Sequence, residues 1–273
     1  MNTNSNTYTI IYASVMVVIV AFLLAFVASA LKPTQDANVA IDKKQQILKS
    51  LNLREVAKAD VEKTYAEVVV ADPIYGADNA TPEKDGLQTS DKNGLQQHDQ
   101  AGFAIETKQF SDTCRPLYIC NVEGQTVYVI PVKGAGLWGG IWGYVAIESD
   151  GQTVRSAYFN HESETAGLGA EIKDNAKWQH KFDGKKLYAE DNDAEIALSV
   201  LKAGKSPEIK DQNRVDAVTG ATLTSNGVNE MLHTGLARYA EILKNINPAN
   251  TAAEAQPADT TSVEQEEAQQ PAA

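Results

Sequence analysis

Cysteine is nearly absent from this chain: Cys114 and Cys120, with five residues between them, are its two copies. Their spacing matches neither the paired CxxC of a zinc site nor the cysteine run of an iron–sulfur cluster. It leaves open a disulfide, which would need an oxidising compartment, or two independent thiols. Histidine is almost as scarce, at four residues, and no HExxH occurs, so His161 and Glu162 have little around them from which to build a metal site. No GxGxxG that follows a strand and opens a helix is present, which argues against this chain oxidising a dinucleotide itself. Positive charge is short as well. Lysine and arginine number 24 against 36 aspartates and glutamates, and the formal net charge of −12 would repel a nucleic-acid backbone.

What the sequence does hold begins with a run free of charge. Residues 9–31 read TIIYASVMVVIVAFLLAFVASAL. As a helix they would span about 34 Å against a hydrocarbon core of about 30 Å, which predicts a single transmembrane helix. Ala28-Ser29-Ala30 resembles a signal-peptide cleavage site, but no base precedes the run and it exceeds an ordinary signal h-region, so a retained anchor is favoured. Lys32, Lys43, Lys44 and Lys49 follow it, a bias that on its own puts the C-terminal side in the cytoplasm. The bias is weak, because large domains cross membranes with little regard to flanking charge.

The 273 residues, 43% of them hydrophobic, are enough for that anchor and one domain with a real core. A polar segment, 1–8, precedes the anchor. In the connector, 32–71, Ile47, Leu48 and Leu51 fall at helical spacing within 42–53, which predicts a polar helix with a narrow apolar stripe after Pro33. Asp72-Pro73, Thr81-Pro82, Asp85-Gly86 and Asn93-Gly94 mark 72–100 as an irregular surface insertion. The runs LYICNV, QTVYVIPV, WGYVAIES and TVRSAYF between 117 and 159 read as neighbouring strands, whereas 194–201 is too short to assign. Val228, Met231, Leu232, Leu236, Tyr239, Ile242 and Leu243 predict one amphipathic helix over 225–244, ended by Asn247-Pro248. The fold class is therefore α+β, with the domain at 101–248. Residues 249–273 carry five acids, no bases and two prolines, and read as a disordered tail.

Three segments carry chemistry. Asp216-Ala217-Val218-Thr219-Gly220-Ala221-Thr222-Leu223-Thr224-Ser225 lies just ahead of the predicted helix, where free amides and the positive end of the dipole favour a phosphate. From spacing alone Thr224 or Ser225 is as readily a helix cap. The segment DAVTGATLTSNGV nevertheless closely resembles the flavinylation motif, D-x-x-S/T-G-A-T/S, of the C subunit family of the sodium-translocating NADH:quinone oxidoreductase. His161-Glu162-Ser163-Glu164-Thr165-Ala166-Gly167-Leu168-Gly169 is similar to the family's H-x-E-T-P-G-L-G segment, with Ala166 in place of the proline, a change that loosens the backbone restraint on Thr165. Lys133-Gly134-Ala135-Gly136-Leu137-Trp138-Gly139 is similar to its K-G-x-G-L-W segment; taken alone, Trp138 reads as a structural tryptophan beside a turn.

The resemblance covers roughly residues 8 to 245 and implies FMN joined by a phosphoester to the Thr222 hydroxyl, installed by a separate flavin transferase that uses FAD. It implies cofactor contacts from Asp216, Thr219, Gly220, Ala221 and Leu223, from Glu164, Thr165, Leu168 and Gly169, and from Leu137 and Trp138. It further implies a single mixed domain with a central, largely antiparallel sheet, acting as an electron relay among other subunits of a membrane complex that takes electrons from NADH towards quinone and exports sodium. Single-pass insertion in a bacterial inner membrane, with contact to lipid and the domain on the periplasmic face, belongs to the same implication. Sodium passage would lie with neighbouring subunits, since one uncharged helix offers no polar path. The alternatives are the G subunit of the related ferredoxin:NAD oxidoreductase complex and an anchored binding module without cofactor.

Overall fold

In the computed structural model the described residues are 5–77, 81–84, 89–90, 96–97, 101–190, 194–204 and 208–246. The expected tail at 249–273, the first four residues and most of 85–100 lie outside them.

The uncharged run is the first part of a longer element. Helix α1 (Asn6–Ser50) has 45 residues, about 68 Å at 1.5 Å per residue, and Ser5 caps it by accepting the Tyr8 amide. Pro33 lies inside and forfeits one i→i−4 bond, yet the helix continues, so the predicted connector helix is its final stretch and not a separate element. Side chains from Ile10 to Leu31 are exposed, and this stretch is long and apolar enough to cross a membrane. At the other end Ile47 and Leu48, with Leu51 just beyond, are fully buried, so the apolar stripe packs on the chain's own domain.

Beyond α1 come α2 (Val61–Val68), β1 (Val69–Ala71), β2 (Ile74–Tyr75), β3 (Pro82–Lys84), β4 (Thr89–Ser90), β5 (Gln96–Gln97) and β6 (Arg115–Pro116). The predicted strands follow as β7 (Tyr118–Val122), β8 (Gln125–Ala135), β9 (Gly140–Glu148) and β10 (Val154–His161). They form an antiparallel sheet in the order β1-β7-β8-β9-β10. Alternation of side chains feeds two cores. Val127, Val129, Tyr144, Ala146 and Tyr158 face α1 and α2, while Ile130, Val132, Ile141, Val145 and Phe159 face the opposite layer. The insertion opens with buried residues: Asp72, Pro73, Ile74 and Tyr75 pack inside, and β2 pairs with both β3 and β6.

Short helices α3 (Glu171–Asp174) and α4 (Ala176–Gln179) lead to a parallel pair, β11 (Ser199–Leu201) and β12 (Arg214–Asp216), so the unassigned 194–201 segment ends as a strand. The predicted 225–244 helix is two helices, α5 (Thr222–Ala237) and α6 (Ala240–Ile246). They part at Arg238 and Tyr239 because Arg115 Nη1 donates to the Arg238 carbonyl at 2.9 Å and Tyr239 Oη donates to the Pro116 carbonyl at 2.9 Å. Cys114 and Cys120 are free thiols. The residues between them run through β6 into β7 and carry Cys120 into the core beneath α1, so the disulfide alternative is not realised.

Candidate functional site

α5 runs antiparallel to β8 at unusually close range. A Cβ on Gly227 would lie 2.2 Å from the Ala135 carbonyl oxygen, one on Gly134 would lie 2.7 Å from Met231 Cβ, and one on Gly235 would lie 2.8 Å from Val132 Cγ1. This contact sets the start of α5 beside the tip of the β8–β9 hairpin. At that tip Gly136 donates to the Gly139 carbonyl at 2.8 Å, and Leu137 and Trp138 project from the turn. Residues 134–139 have G-x-G-x-x-G spacing, but they turn into β9 and open no helix, so they form no dinucleotide-binding turn. His161 at the end of β10 pairs with Ile141 of β9, which brings the 162–170 turn to the same end of the sheet.

The three motif segments therefore meet, and Glu164 joins them. Its Oε1 accepts the Trp138 amide at 2.9 Å and its Oε2 accepts the Thr224 hydroxyl at 2.6 Å. Glu164 as a residue is 8% exposed, and its carboxylate sits in a slot floored by backbone, since a Cβ on Gly136 would lie 2.4 Å from Oε1 and one on Gly169 would lie 2.3 Å from Oε2. Burial alone would raise the Glu164 pKa, but the Thr224 hydroxyl, the Trp138 and Leu137 amides and the nearby His161 together hold it below the ordinary carboxylate value. His161 Nδ1 accepts the Glu164 amide at 3.1 Å, and Ser163 Oγ donates to the Trp138 carbonyl at 2.8 Å.

Thr222 is the first residue of α5 and is exposed, following Gly220, whose φ of +81° makes the turn into the helix. Ala221 at the N-cap offers no side-chain cap, and among the described residues the amides of Thr222, Leu223 and Thr224 have no acceptor. The cap reading of Thr224 and Ser225 is thereby corrected. Thr224 is spent on Glu164, and Ser225 Oγ accepts the Val218 amide at 3.1 Å. Around Thr222 the large apolar side chains face solvent: Leu137 is 47%, Trp138 66%, Leu168 43% and Leu223 60% exposed. Leu168 Cδ2 lies 3.0 Å from where a Cβ on Gly220 would stand.

Thr219 is exposed in the turn before the helix, and Thr165 is exposed with its carbonyl accepting the Leu168 and Ala170 amides. Asp216 is directed elsewhere. Its carboxylate stands 3.7 Å from Arg214 Nε and 4.0 Å from Lys181 Nζ, and its carbonyl accepts Trp178 Nε1 at 2.7 Å. Thr224 and Ser163 are the members of the cluster that motif matching passes over; the hydroxyl-rich composition of both segments is the one signal for them. Among the described residues no cluster of three or more metal-ligating side chains occurs.

An uncapped helix start beside an open apolar platform suits a ligand with a phosphate at one end and a flat ring at the other. In agreement, residues 136–237 match a family model described as FMN-binding domain, so the domain is of the FMN-binding class. The C subunit of the Na(+)-translocating NADH-quinone reductase of Pseudomonas aeruginosa is 32% identical over 247 residues, covering 87% of this chain and 94% of that protein. Its counterpart from Haemophilus ducreyi is 32% identical over 239 residues, covering 84% and 88%. The crystal structure of the corresponding protein from Parabacteroides distasonis superposes with a TM-score of 0.66 at 33% identity, covering 78% of this chain and 96% of that one. The chain belongs to the family formed by the C subunit of the Na(+)-translocating NADH-quinone reductase.

Proposed function

We propose that this chain carries FMN joined through its phosphate to the Thr222 hydroxyl and relays electrons between other centres of a sodium-exporting NADH:quinone reductase. The observation that carries this reading is the meeting of three distant segments around one exposed hydroxyl at the start of α5. FMN exchanges one or two electrons when bound. In the attachment step a flavin transferase moves FMN from FAD: the Thr222 oxygen forms the new bond to phosphorus, the pyrophosphate bond breaks, AMP leaves and the hydroxyl proton is released. The amides of Thr222, Leu223 and Thr224 would receive phosphate oxygens, and Leu137, Trp138, Leu168 and Leu223 would support the ring. Thr219, Gly220 and Ala221 shape the turn, and Thr165 and Gly169 hold the facing loop. Asp216 is turned towards Lys181 and Arg214 and away from the helix start, so it is not assigned to the phosphate.

On this reading α1 anchors the chain in a bacterial inner membrane, the domain stands on the periplasmic face, and the partners are the other subunits of the complex, lipid and the transferase. The FMN-binding domain on this reading is 101–248, completed by the packed end of α1, α2 and β1 from the connector 32–71 and by β2 at the start of 72–100; the rest of 72–100 and 249–273 are additions to it. The test is the intact mass of chains co-produced with the transferase. Thr222→Ala is expected to lose the FMN mass increment while Thr219→Ala keeps it. An increment that persists in Thr222→Ala rejects the assignment.

A further inference from the structure

Glu164 meets the motif residues in a way that points to a role other than touching flavin. One carboxylate oxygen is committed to the Trp138 amide and the other to the Thr224 hydroxyl, across 26 and 60 residues of sequence. The group is all but closed from solvent, and no larger residue than glycine fits at Gly136 or Gly169 without displacing it. A buried acceptor bonded at both oxygens is held in one place, and charge-assisted bonds of this kind are about twice as strong as neutral ones. Apart from Glu164, the hairpin tip is fixed among the described residues by the Gly136–Gly139 turn and the Ser163–Trp138 contact, and at its base by the Gly140 amide donating to Glu162 Oε2 and the Glu162 amide donating to the Gly140 carbonyl.

We propose that Glu164 is a positioning residue that locks the Leu137–Trp138 turn to the first turn of α5, so that the Thr222 hydroxyl and the apolar platform are presented as one preformed unit. The proposal rests on attachment at Thr222 and adds to it the cause of the site's geometry. Glu164→Ala removes both bonds, together with the one from the Leu137 amide, and frees the hairpin tip from the helix. Glu164→Gln keeps both, because its amide oxygen accepts the Trp138 N–H while its NH₂ donates to Thr224 Oγ1. Misplacement of a reacting group by about 1 Å is enough to slow a reaction by about a hundredfold, so release of the tip should show in the attachment rate.

The experiment uses the full-length chain in detergent, produced without the transferase. Hydrogen exchange at the Trp138 amide is measured first, and then the rate of covalent flavin gain with transferase and FAD. In Glu164→Ala the Trp138 amide is expected to lose its protection and the gain to slow at least about tenfold. Glu164→Gln should stay within about threefold of the wild type in both, and the amides of β8 and β9 should be unchanged throughout. Wild-type rate and protection in Glu164→Ala overturn the proposal, and so does a Glu164→Gln variant as slow as Glu164→Ala, since charge and not placement would then be what matters. Should Glu164→Ala lose protection in β8 and β9, Thr224→Val, which cuts one arm at constant shape, takes its place; its attaching flavin at the wild-type rate is equally fatal. A wild-type chain that gains no flavin at Thr222 refutes the proposed function instead, and the Trp138 exchange data still decide whether Glu164 holds the tip.

Discussion

Lys43 shows what burial does to one charge. Its ammonium donates to the Phe103 and Ile105 carbonyls at 2.5 and 2.9 Å and stands 4.7 Å from the centre of the Phe103 ring. Desolvation lowers its pKa from 10.5 to about 8, against the opposing pull of Asp72 and Glu106. Between those values the unfolded chain binds more protons at this site than the folded one, so this group makes stability rise with pH there, and its cost is fully felt below about 8. The melting temperature of the wild type minus that of Lys43→Met is therefore expected to increase from pH 7 to pH 9.5. A flat or falling difference contradicts it. Taking the difference removes the buried tyrosines Tyr65, Tyr118 and Tyr239, whose raised pKa values act in the opposite sense at higher pH. Single residues differ in how visible they are in the sequence. Thr222 and Trp138 stand in short local motifs, whereas the bonds of Glu164 join residues that only the folded sheet brings together.

Among the elements, α5 depends most on what it lacks. Its approach to β8 requires Gly227, because a methyl there would meet the Ala135 carbonyl oxygen at 2.2 Å, and that oxygen belongs to paired backbone that has little room to give. Gly227→Ala would gain about 1 kcal/mol in helix propensity. The overlap is expected to outweigh this, for a net loss of about 1–3 kcal/mol in urea unfolding, with flavin attachment slowed because the helix start moves off the hairpin tip. An unchanged unfolding midpoint would show that the helix tolerates the shift. The strands β7 to β10 are legible from sequence because burial of both faces makes each a short run rich in valine, isoleucine and tyrosine. The break between α5 and α6 is not, since the apolar periodicity runs through it and the cause is Arg115 and Pro116 from β6. Pro33 misleads in the other direction: it signals a boundary, yet a long helix absorbs one missing hydrogen bond.

For the whole molecule, the decisive fact is that the apolar stretch and the packed end of α1 are one helix, with residues 32–39 exposed between them. One alanine inserted after Ala37 turns everything beyond it by about 100° and lifts it by about 1.5 Å. On the proposed function, the domain's melting temperature and its flavin attachment are expected to stay the same, while quinone reduction by the assembled complex drops sharply. A seven-residue helical insertion restores the facing to within about 20° but raises the domain by about 10 Å, so comparing the two separates bearing from height. Equal activity of the complex with either insertion would show that the link behaves as a leash. Eight flexible residues would let the domain roam over about 16 Å. On the proposed anchoring, a helical mast instead aims one face in one direction before any neighbour arrives, so little tumbling freedom remains to be surrendered at assembly.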